Sequence, residues 1–317
     1  MKIIIISVLL LITLLLSGVG DDTILKDIGD LSSEEITKAV REAKKDSLTS
    51  QQDFEELVSE MEKISGLFNL YRNLDDGTVY LEIKPEQLDK NFLLTLTRQS
   101  GDAYYFDASA MMWSYPVHFH RINKRIQIRQ DNLLFRSSDP ALDKALKNSI
   151  SPSLIASSEI TGKPHKVTGA VLIKAADLFL KDLPSVEYYT DRWQTKYSYD
   201  QENSYFNYVK SFPENTELEV FLHYKSNSYP DVFTLSDSRS MMHRYHYSLS
   251  LIPDTEFHPR PADDRIGFFT TTYQDYTDLS TETPYIRYIN RWNLEKEDPD
   301  ASSSKARNPI VFWLENT

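Results

Sequence analysis

The spacing of hydrophobic residues divides the chain into a helical start and a β-rich remainder. In residues 36–43 and 54–61, apolar side chains recur at i, i+3, i+4 and i+7, which is the period of an amphipathic helix. From Leu67 onward the apolar positions instead follow the alternation of strands. We therefore predict a helical amino-terminal segment over residues 21–66, followed by β-structure.

Turn residues set the boundaries between the predicted strands. Asp75-Asp76-Gly77 and Asn123-Lys124 each separate two apolar runs, which predicts two β-hairpins. We predict strands at residues 67–71, 79–83, 92–97, 117–122, 125–129, 167–173, 205–212, 217–224, 245–252, 266–273 and 285–293, and a helix at 141–150. The fold class that follows is α+β, mainly β, with an antiparallel sheet domain over residues 67–294 preceded by amphipathic helices.

The last part of the sequence has a different pattern. Residues 295–307 are polar and contain Pro299 and three consecutive serines, which is typical of a linker. Residues 308–317 contain the apolar run Ile310-Val311-Phe312-Trp313-Leu314 and resemble a buried strand cut off at its far end. We interpret them as the first strand of a following domain that this sequence does not contain.

The first twenty residues have the pattern of a secretory signal peptide. Lys2 precedes an apolar stretch at residues 3–16, and Ser17-Gly18-Val19-Gly20 offers small residues for cleavage. A membrane span needs roughly 20 apolar residues, so this stretch is short for one, and an uncleaved anchor is the alternative. We expect an exported protein, periplasmic or extracellular, with no stable membrane span after signal cleavage.

Composition excludes several classes of function. The chain has no cysteine, which excludes disulfides, thiolate zinc sites and cysteine nucleophiles. Its net charge of −12 argues against nucleic acid as a partner. The sequence also contains no His-Glu-x-x-His, Gly-x-Ser-x-Gly, Walker or dinucleotide-binding motif.

Two histidine pairs are the first candidates for chemistry. His118 and His120 lie two apart on a predicted strand, so both side chains share a face. Basic residues at positions 121, 124 and 125 oppose a cation there, and a solvated strand face is the favoured interpretation. His243 and His246 lie three apart, and in an extended segment they point to opposite faces. We therefore predict no metal-binding residue in the chain.

The most distinctive polar cluster lies in a loop that begins with two prolines. Arg260, Asp263, Asp264 and Arg265 place two arginines around two aspartates, and bidentate Arg–carboxylate pairs can lock such a loop. It is either a buried ion-pair loop at a domain interface or a contact for substrate or a propeptide. Gly267, inside a predicted strand, indicates close backbone approach. We take the four charged residues as candidates for an interdomain contact.

An aromatic-rich stretch supplies a second set of candidates. Tyr188, Tyr189, Trp193 and Tyr197 begin a run of aromatic residues that extends to position 208. Exposed rings can stack on sugars or peptides, whereas dense aromatics also build the core and rim of a sheet. We take these four residues as candidates for peptide or glycan binding.

Several segments, taken in order from about residue 54 to the end, resemble a known family. They are similar to the amino-terminal portion of bacterial zinc-dependent metalloproteases that carry domain of unknown function 5117. The early matches are Gly66-Leu67-Phe68, Gly77-Thr78-Val79-Tyr80-Leu81-Glu82-Ile83 and Leu88-Asp89-Lys90-Asn91-Phe92-Leu93-Leu94. The later ones are Phe212-Pro213-Glu214-Asn215, Pro259-Arg260 with Asp264-Arg265-Ile266-Gly267-Phe268-Phe269, Arg291-Trp292-Asn293-Leu294-Glu295-Lys296 and Asn308-Pro309-Ile310-Val311-Phe312-Trp313.

The resemblance implies a module without catalytic residues. In that family the catalytic domain follows a strand equivalent to residues 308–313 and carries His-Glu-x-x-His-x-x-Gly-x-x-His, with three His ligands and Glu as general base. This motif is absent from the 317 residues, so no catalytic residue carries over. Zinc is expected only in the catalytic domain, and we expect this chain alone to be inactive.

Three functions remain open at this point. The first is a module that packs against, or assists the folding of, a metallopeptidase domain in cis or in trans. The second is a stand-alone extracellular module that binds peptide or glycan through its aromatic residues. The third is a complete enzyme of another type, which requires His and carboxylate side chains converging in one pocket.

Overall fold

The computed structural model describes residues 52–255, 257–312 and 314. The chain forms two compact units: unit 1 comprises the residues up to Gln130 together with Leu154–Ile252, and unit 2 comprises Asp131–Ser153 and Pro253–Thr317. The residues predicted as one β-rich domain, 67–294, are thus shared between the units. The predicted signal peptide and the first predicted helix lie outside the described residues.

The described residues are mainly β, as predicted. The strands are β1 Glu62–Ile64, β2 Leu70–Arg72, β3 Val79–Ile83, β4 Asn91–Ser100, β5 Ala110–Ile122, β6 Arg125–Gln130, β7 Phe135–Arg136, β8 Ser153–Thr161, β9 Val171–Lys174, β10 Ser198–Ser211, β11 Asn215–Lys225, β12 Ser240–Leu251, β13 Thr270–Asp275 and β14 Tyr285–Ile289. The helices are α1 Phe54–Val58, α2 Pro140–Ser149, α3 Ala176–Phe179 and α4 Val186–Arg192, with a 3₁₀ turn at Pro85–Gln87. Within the described part, no helix is long and apolar enough to span a membrane.

Unit 1 is built on one large curled sheet. Its strand order is β1-β2-β3-β9-β8-β6-β5-β4-β12-β11-β10. Both predicted hairpins are present, β2–β3 and β5–β6, each with antiparallel register. Gly77 (φ +72°) and Asn123 (φ +53°) take the left-handed conformation in their turns, which glycine and asparagine tolerate best.

The curl brings the two ends of this sheet together. The Leu67 N–H donates to the Phe212 carbonyl at 2.6 Å, and the Ser211 hydroxyl donates to the Phe68 carbonyl at 2.7 Å. A Cβ on Gly66 would lie only 2.5 Å from the Ser211 carbonyl carbon, so glycine is required for this approach. The contact seals the core that lies inside the curl.

A continuous apolar core fills unit 1. The rings of Phe68, Phe92 and Phe119 pack with centroids 4.9–6.1 Å apart, and all three side chains are fully buried. Along β12 every second residue is buried from Met241 to Leu249, as the period of a strand requires. This alternation decides which of the histidines on β12 enters the core.

Unit 2 forms a smaller, mixed sheet. Its strand order is β14-β13-β7, with β13–β14 antiparallel and β13–β7 parallel. Helix α2 matches the predicted helix because the Asp139 carboxylate caps it, accepting from the N–H groups of Ala141 and Leu142, and Pro140 occupies its first turn. Not one described residue of unit 2 is buried.

The predicted linker and final strand lie in unit 2. Residues 295–307 fold back on themselves, since Glu297 N–H donates to the Lys305 carbonyl and Arg307 N–H to the Glu295 carbonyl, each at 2.9 Å. Residues 310–312 are not in a strand. Pairing of this segment within a following domain stays a prediction.

Candidate functional site

The predicted contact loop of unit 2 runs along the edge of β14. Ala262 N–H donates to the Arg287 carbonyl at 2.9 Å, and Ile289 N–H donates to the Arg260 carbonyl at 3.0 Å. Pro261 forms an isolated antiparallel bridge with Tyr288. The loop therefore extends the small sheet on its β14 side.

The charged candidates in this loop form exposed ion pairs. The Arg265 guanidinium forms a bidentate pair with the Asp263 carboxylate, with Nε–Oδ1 at 2.9 Å and Nη2–Oδ2 at 2.5 Å. Asp264 pairs with Arg287 across to β14, and the contact of Arg260 is through its backbone. The hydrogen bonds from Arg265 hold the pKa of Asp263 below its ordinary value. The bidentate pair is present, and within the described residues these side chains lie in solvent. Their burial at an interface with another domain stays a prediction.

The prediction for Gly267 is also wrong. Gly267 is not in a strand, and a Cβ built on it would meet nothing within 4 Å. The strand predicted from residue 266 begins only at Thr270. The apolar residues around Gly267 are therefore in an open loop rather than against a neighbouring backbone, and Phe269 is 90% exposed.

Exposed apolar side chains are numerous in unit 2. We call this set the apolar surface of unit 2: Leu134, Ile266, Phe268, Phe269, Leu279, Trp292, Leu294, Val311, Phe312 and Leu314, each more than half exposed. Single exposed apolar residues are normal in folded proteins. Unit 2 differs because it exposes these apolar side chains and has no buried residue in its described part.

The structure gathers three of the four aromatic candidates in unit 1. Tyr188 and Tyr189 lie on α4 and Trp193 follows it, all partly exposed. Trp193 stacks on Tyr105 (centroids 5.0 Å apart, planes 14° apart) and on Tyr189 (5.9 Å, 29°). Because two rings already stack on Trp193, it is less available as a platform for a sugar.

Tyr197 does not belong to this surface. Its ring is buried, and its hydroxyl donates to the Ser238 carbonyl at 2.5 Å. Burial raises the pKa of Tyr197 to about 12. The prediction of Tyr197 as a binding residue is not supported, because a side chain inside the core offers no face to a ligand. Tyr104 and Phe233 are exposed aromatic residues outside the predicted run, and their rings meet edge to face with centroids 5.1 Å apart.

The histidines lie as the strand periods predict. His118 and His120 are partly exposed on one face of β5, and His120 Nδ1 lies 2.7 Å from Asp89 Oδ1. His243 and His246 occupy opposite faces of β12, the first buried and the second hydrogen-bonded to Glu217. Among the described residues, no three His, Asp or Glu side chains are grouped to hold a metal ion.

A buried acid–base pair in unit 1 was not predicted from the sequence. His243 Nε2 donates to Asp102 Oδ2 at 3.1 Å, and His243 Nδ1 accepts from the Tyr245 hydroxyl at 3.2 Å. Burial lowers the pKa of His243, which favours the neutral ring. For Asp102, burial would raise the pKa, but hydrogen bonds from His243 and from two backbone N–H groups outweigh it and lower the pKa. The pair is enclosed in the core, so it organises structure rather than reaching a substrate.

Comparison with known proteins gives a match to a family model. The family model described as "Domain of unknown function (DUF5117)" matches residues 111–297, which is more than half of the chain. No curated protein and no solved structure matches the chain.

Proposed function

The chain belongs to the family of domain of unknown function DUF5117, and we propose that it acts as a noncatalytic module that packs against, or assists the folding of, a zinc-dependent peptidase domain in an exported protein. The observation that carries the proposal is the state of unit 2. This unit has a hydrogen-bonded sheet and a capped helix but no buried residue among those described.

A unit of this kind gains stability when another polypeptide covers it. Fixing the backbone of one residue costs about 1–2 kcal/mol in conformational entropy. Removing apolar surface from water returns about 25 cal/mol per Å². Since no described residue of unit 2 is fully buried, the apolar surface of unit 2 is the natural place for a partner to supply further burial.

The composition of this surface suits a protein partner. Protein interfaces combine aromatic and other apolar residues with arginine and a polar rim. Unit 2 exposes Phe269, Trp292 and Phe312 and also carries the exposed pairs Arg265–Asp263 and Arg287–Asp264. We assign the charged loop to the rim of the contact and the exposed rings to its centre.

The identity of the partner is proposed from the order of the sequence motifs. The segments that resemble the metalloprotease family continue through residues 308–313, which in that family lead into the catalytic domain. Val311 and Phe312, in this segment, are both part of the apolar surface of unit 2. Export is proposed from the signal-peptide pattern of residues 1–20.

The test begins with the coding sequence after codon 317 and in the neighbouring genes. We expect it to encode a domain with His-Glu-x-x-His. That domain, produced separately with zinc, should bind the full chain in a solution measurement of Kd. Phe269→Ser and Phe312→Ser should each weaken binding at least tenfold, about 1.4 kcal/mol.

Phe233→Ser is the matched control. Phe233 is 79% exposed and Phe312 is 80% exposed, but Phe233 lies in unit 1. Its replacement should leave the Kd unchanged. The proposal is wrong if no zinc motif is encoded nearby, or if Phe269→Ser and Phe312→Ser bind as well as the wild type.

A second candidate function rests on the exposed rings of unit 1. Tyr104, Tyr188 and Phe233 are each about half exposed or more, and a stand-alone module could use them to bind a peptide or glycan. Tyr188 and Tyr189 are 75° apart in plane, so they do not form the flat platform that sugar stacking favours. Loss of peptide or glycan binding in Phe233→Ser, with Phe269→Ser unaffected, would favour this function over the first.

A further inference from the structure

A cleft of about 400 Å³ lies in unit 2, on one face of the sheet formed by β7, β13 and β14. The register places Thr271 opposite Tyr288 and Arg136 beside Asp275, so Thr271, Tyr273, Tyr288 and Arg136 share this face. Phe257 and Arg291 also line the cleft. Its volume is within the range of small-ligand sites.

Two arginines line this cleft, and each is held against an aromatic ring. The guanidinium carbon of Arg136 lies 4.2 Å from the centroid of Tyr273, and that of Arg291 lies 4.4 Å from the centroid of Phe257. Arg136 Nε also donates to the Leu133 carbonyl at 3.0 Å, and Arg291 Nη2 donates to the His258 carbonyl at 2.7 Å. These contacts favour one position of each guanidinium group before a ligand binds.

The two arginines keep donors for a ligand. A guanidinium has five N–H groups, and the hydrogen bonds within the described chain use one on Arg136 and two on Arg291. No carboxylate of the described residues lies within 4.0 Å of either group, whereas Arg265, Arg287 and Arg307 of the same unit are all paired. The Asp275 carboxylate, which lies beside Arg136 in the register, accepts from the Thr277 N–H at 2.8 Å. The hydrogen bonds with Thr277 and, after them, the charge of Arg136 lower the pKa of Asp275.

We propose that this cleft binds a carboxylate group of a peptide, held between the guanidinium groups of Arg136 and Arg291. Arginine is the side chain best suited to bind a carboxylate through two parallel hydrogen bonds. Tyr273, Tyr288 and Phe257 provide apolar walls for the part of the peptide that carries the carboxylate. The proposal does not rest on the proposed function, because a free peptide in solution is sufficient to occupy the cleft.

The experiment measures binding of three short peptides to the full chain by calorimetry. The first is acetyl-Ala-Ala-Phe with a free terminal carboxylate, the second is its carboxamide, and the third is acetyl-Ala-Asp-Phe carboxamide. We expect the first, the third or both to bind with a Kd below about 1 mM. The carboxamide without Asp should bind at least tenfold more weakly. The first and third peptides distinguish a terminal carboxylate from a side-chain carboxylate.

Variants then assign the binding to the cleft. Arg136→Gln and Arg291→Gln should each weaken binding at least tenfold. Arg136→Lys and Arg291→Lys should lose less affinity, because lysine retains the positive charge but lacks the two parallel N–H donors of a guanidinium. Arg265→Gln is the matched control in the same unit and should change the Kd by less than twofold. Unchanged circular dichroism of each variant shows that the loss does not come from misfolding.

Several outcomes would overturn the proposal. The first is that neither carboxylate peptide binds at concentrations up to about 5 mM. The second is that the carboxamide without Asp binds as tightly as the carboxylate peptides. The third is that Arg265→Gln weakens binding as much as Arg136→Gln and Arg291→Gln. Competition by inorganic phosphate at lower concentration than by acetate would also overturn it, since the site would then prefer a phosphate.

Discussion

The β-sheets of the two units differ in how far their side chains are buried. Unit 1 closes its large sheet around fully buried side chains such as Phe68, Phe119 and Tyr247, whereas the smaller sheet of unit 2 has no buried residue in its described part. Strand pairing is therefore not what distinguishes them. The difference lies in burial: most residues of β13 and β14 are half-buried, whereas the strands of unit 1 place fully buried side chains in a core.

Charged groups differ between the units in the same way. In unit 1, His243 and Asp102 are both fully buried and are hydrogen-bonded to each other. In unit 2, Asp263–Arg265 and Asp264–Arg287 are exposed, and solvent screens exposed ion pairs so that they contribute little to stability. Stability should accordingly depend on unit 1, and the surface of unit 2 should be free to serve recognition.

The largest expected effect is the difference in stability loss between a Phe→Ala substitution in unit 1 and one in unit 2. Phe68→Ala should lower the free energy of unfolding by about 3–5 kcal/mol, because it leaves a cavity among Phe92 and Phe119. Phe269→Ala should change it by less than about 0.5 kcal/mol, because the ring is in solvent. Urea unfolding followed by circular dichroism measures both values.

Hydrogen exchange read peptide by peptide provides the control. Amides of β4 and β12 should exchange much more slowly than those of β13 and β14. A large loss of stability in Phe269→Ala, or equal protection of the two sheets, would show that unit 2 buries side chains of its own and would remove the contrast.

The next effect is a pH dependence that belongs to unit 1. Burial lowers the pKa of His243 below its ordinary value of 6.5, so the unfolded chain takes up a proton there more readily than the folded one. Stability should therefore fall as the pH falls below about 6.5, by about 1.4 kcal/mol for each unit of pKa difference. The lowered pKa of Asp102 adds a further loss below about pH 3.8.

Urea unfolding at pH 7.5 and at pH 5 measures this dependence. His243→Gln should reduce the difference between the two pH values, even though it also lowers stability at both. Met242→Gln, at an exposed position next to His243 on β12, is the control and should leave the difference unchanged. An identical pH dependence in wild type and His243→Gln would show that His243 is not the group responsible.

The smallest effect compares two neighbouring tyrosines of β12. The Tyr245 hydroxyl donates to His243, whereas the buried Tyr247 hydroxyl has no hydrogen-bond partner among the described residues. Tyr245→Phe should lower the free energy of unfolding by about 1 kcal/mol, and Tyr247→Phe should raise it by up to about 1 kcal/mol. Thermal unfolding of the two variants side by side is sufficient, and shifts of the same sign would contradict the assignment.

Local features of this fold could be predicted from the sequence. The hairpin turns at Gly77 and Asn123 and the capped start of α2 at Asp139 depend on a few adjacent residues, and all are present. The opposite orientations of His243 and His246 follow from the two-residue period of a strand. These features are predictable because residues close together in the sequence determine each of them.

The long-range features could not be predicted in this way. Asp102 and His243 lie 141 residues apart, and nothing in either segment indicates that they meet. The cleft between Arg136 and Arg291 depends on a parallel pairing of β7 with β13, which local periodicity does not reveal. Tyr197 was assigned to the surface because aromatic density does not distinguish a core residue from a rim residue.

The division of unit 2 into two chain segments has a consequence for biosynthesis. Arg136 of β7 leaves the ribosome well before Asp275 of β13, its neighbour in the sheet, and unit 1 is synthesised through Ile252 in between. At about 5–20 residues per second the wait lasts roughly 7–28 s. Until Asp275 emerges, the segment Asp131–Ser153 is an insertion whose β7 has no neighbour in the sheet, so the sheet of unit 2 cannot be complete before all of unit 1 has been synthesised.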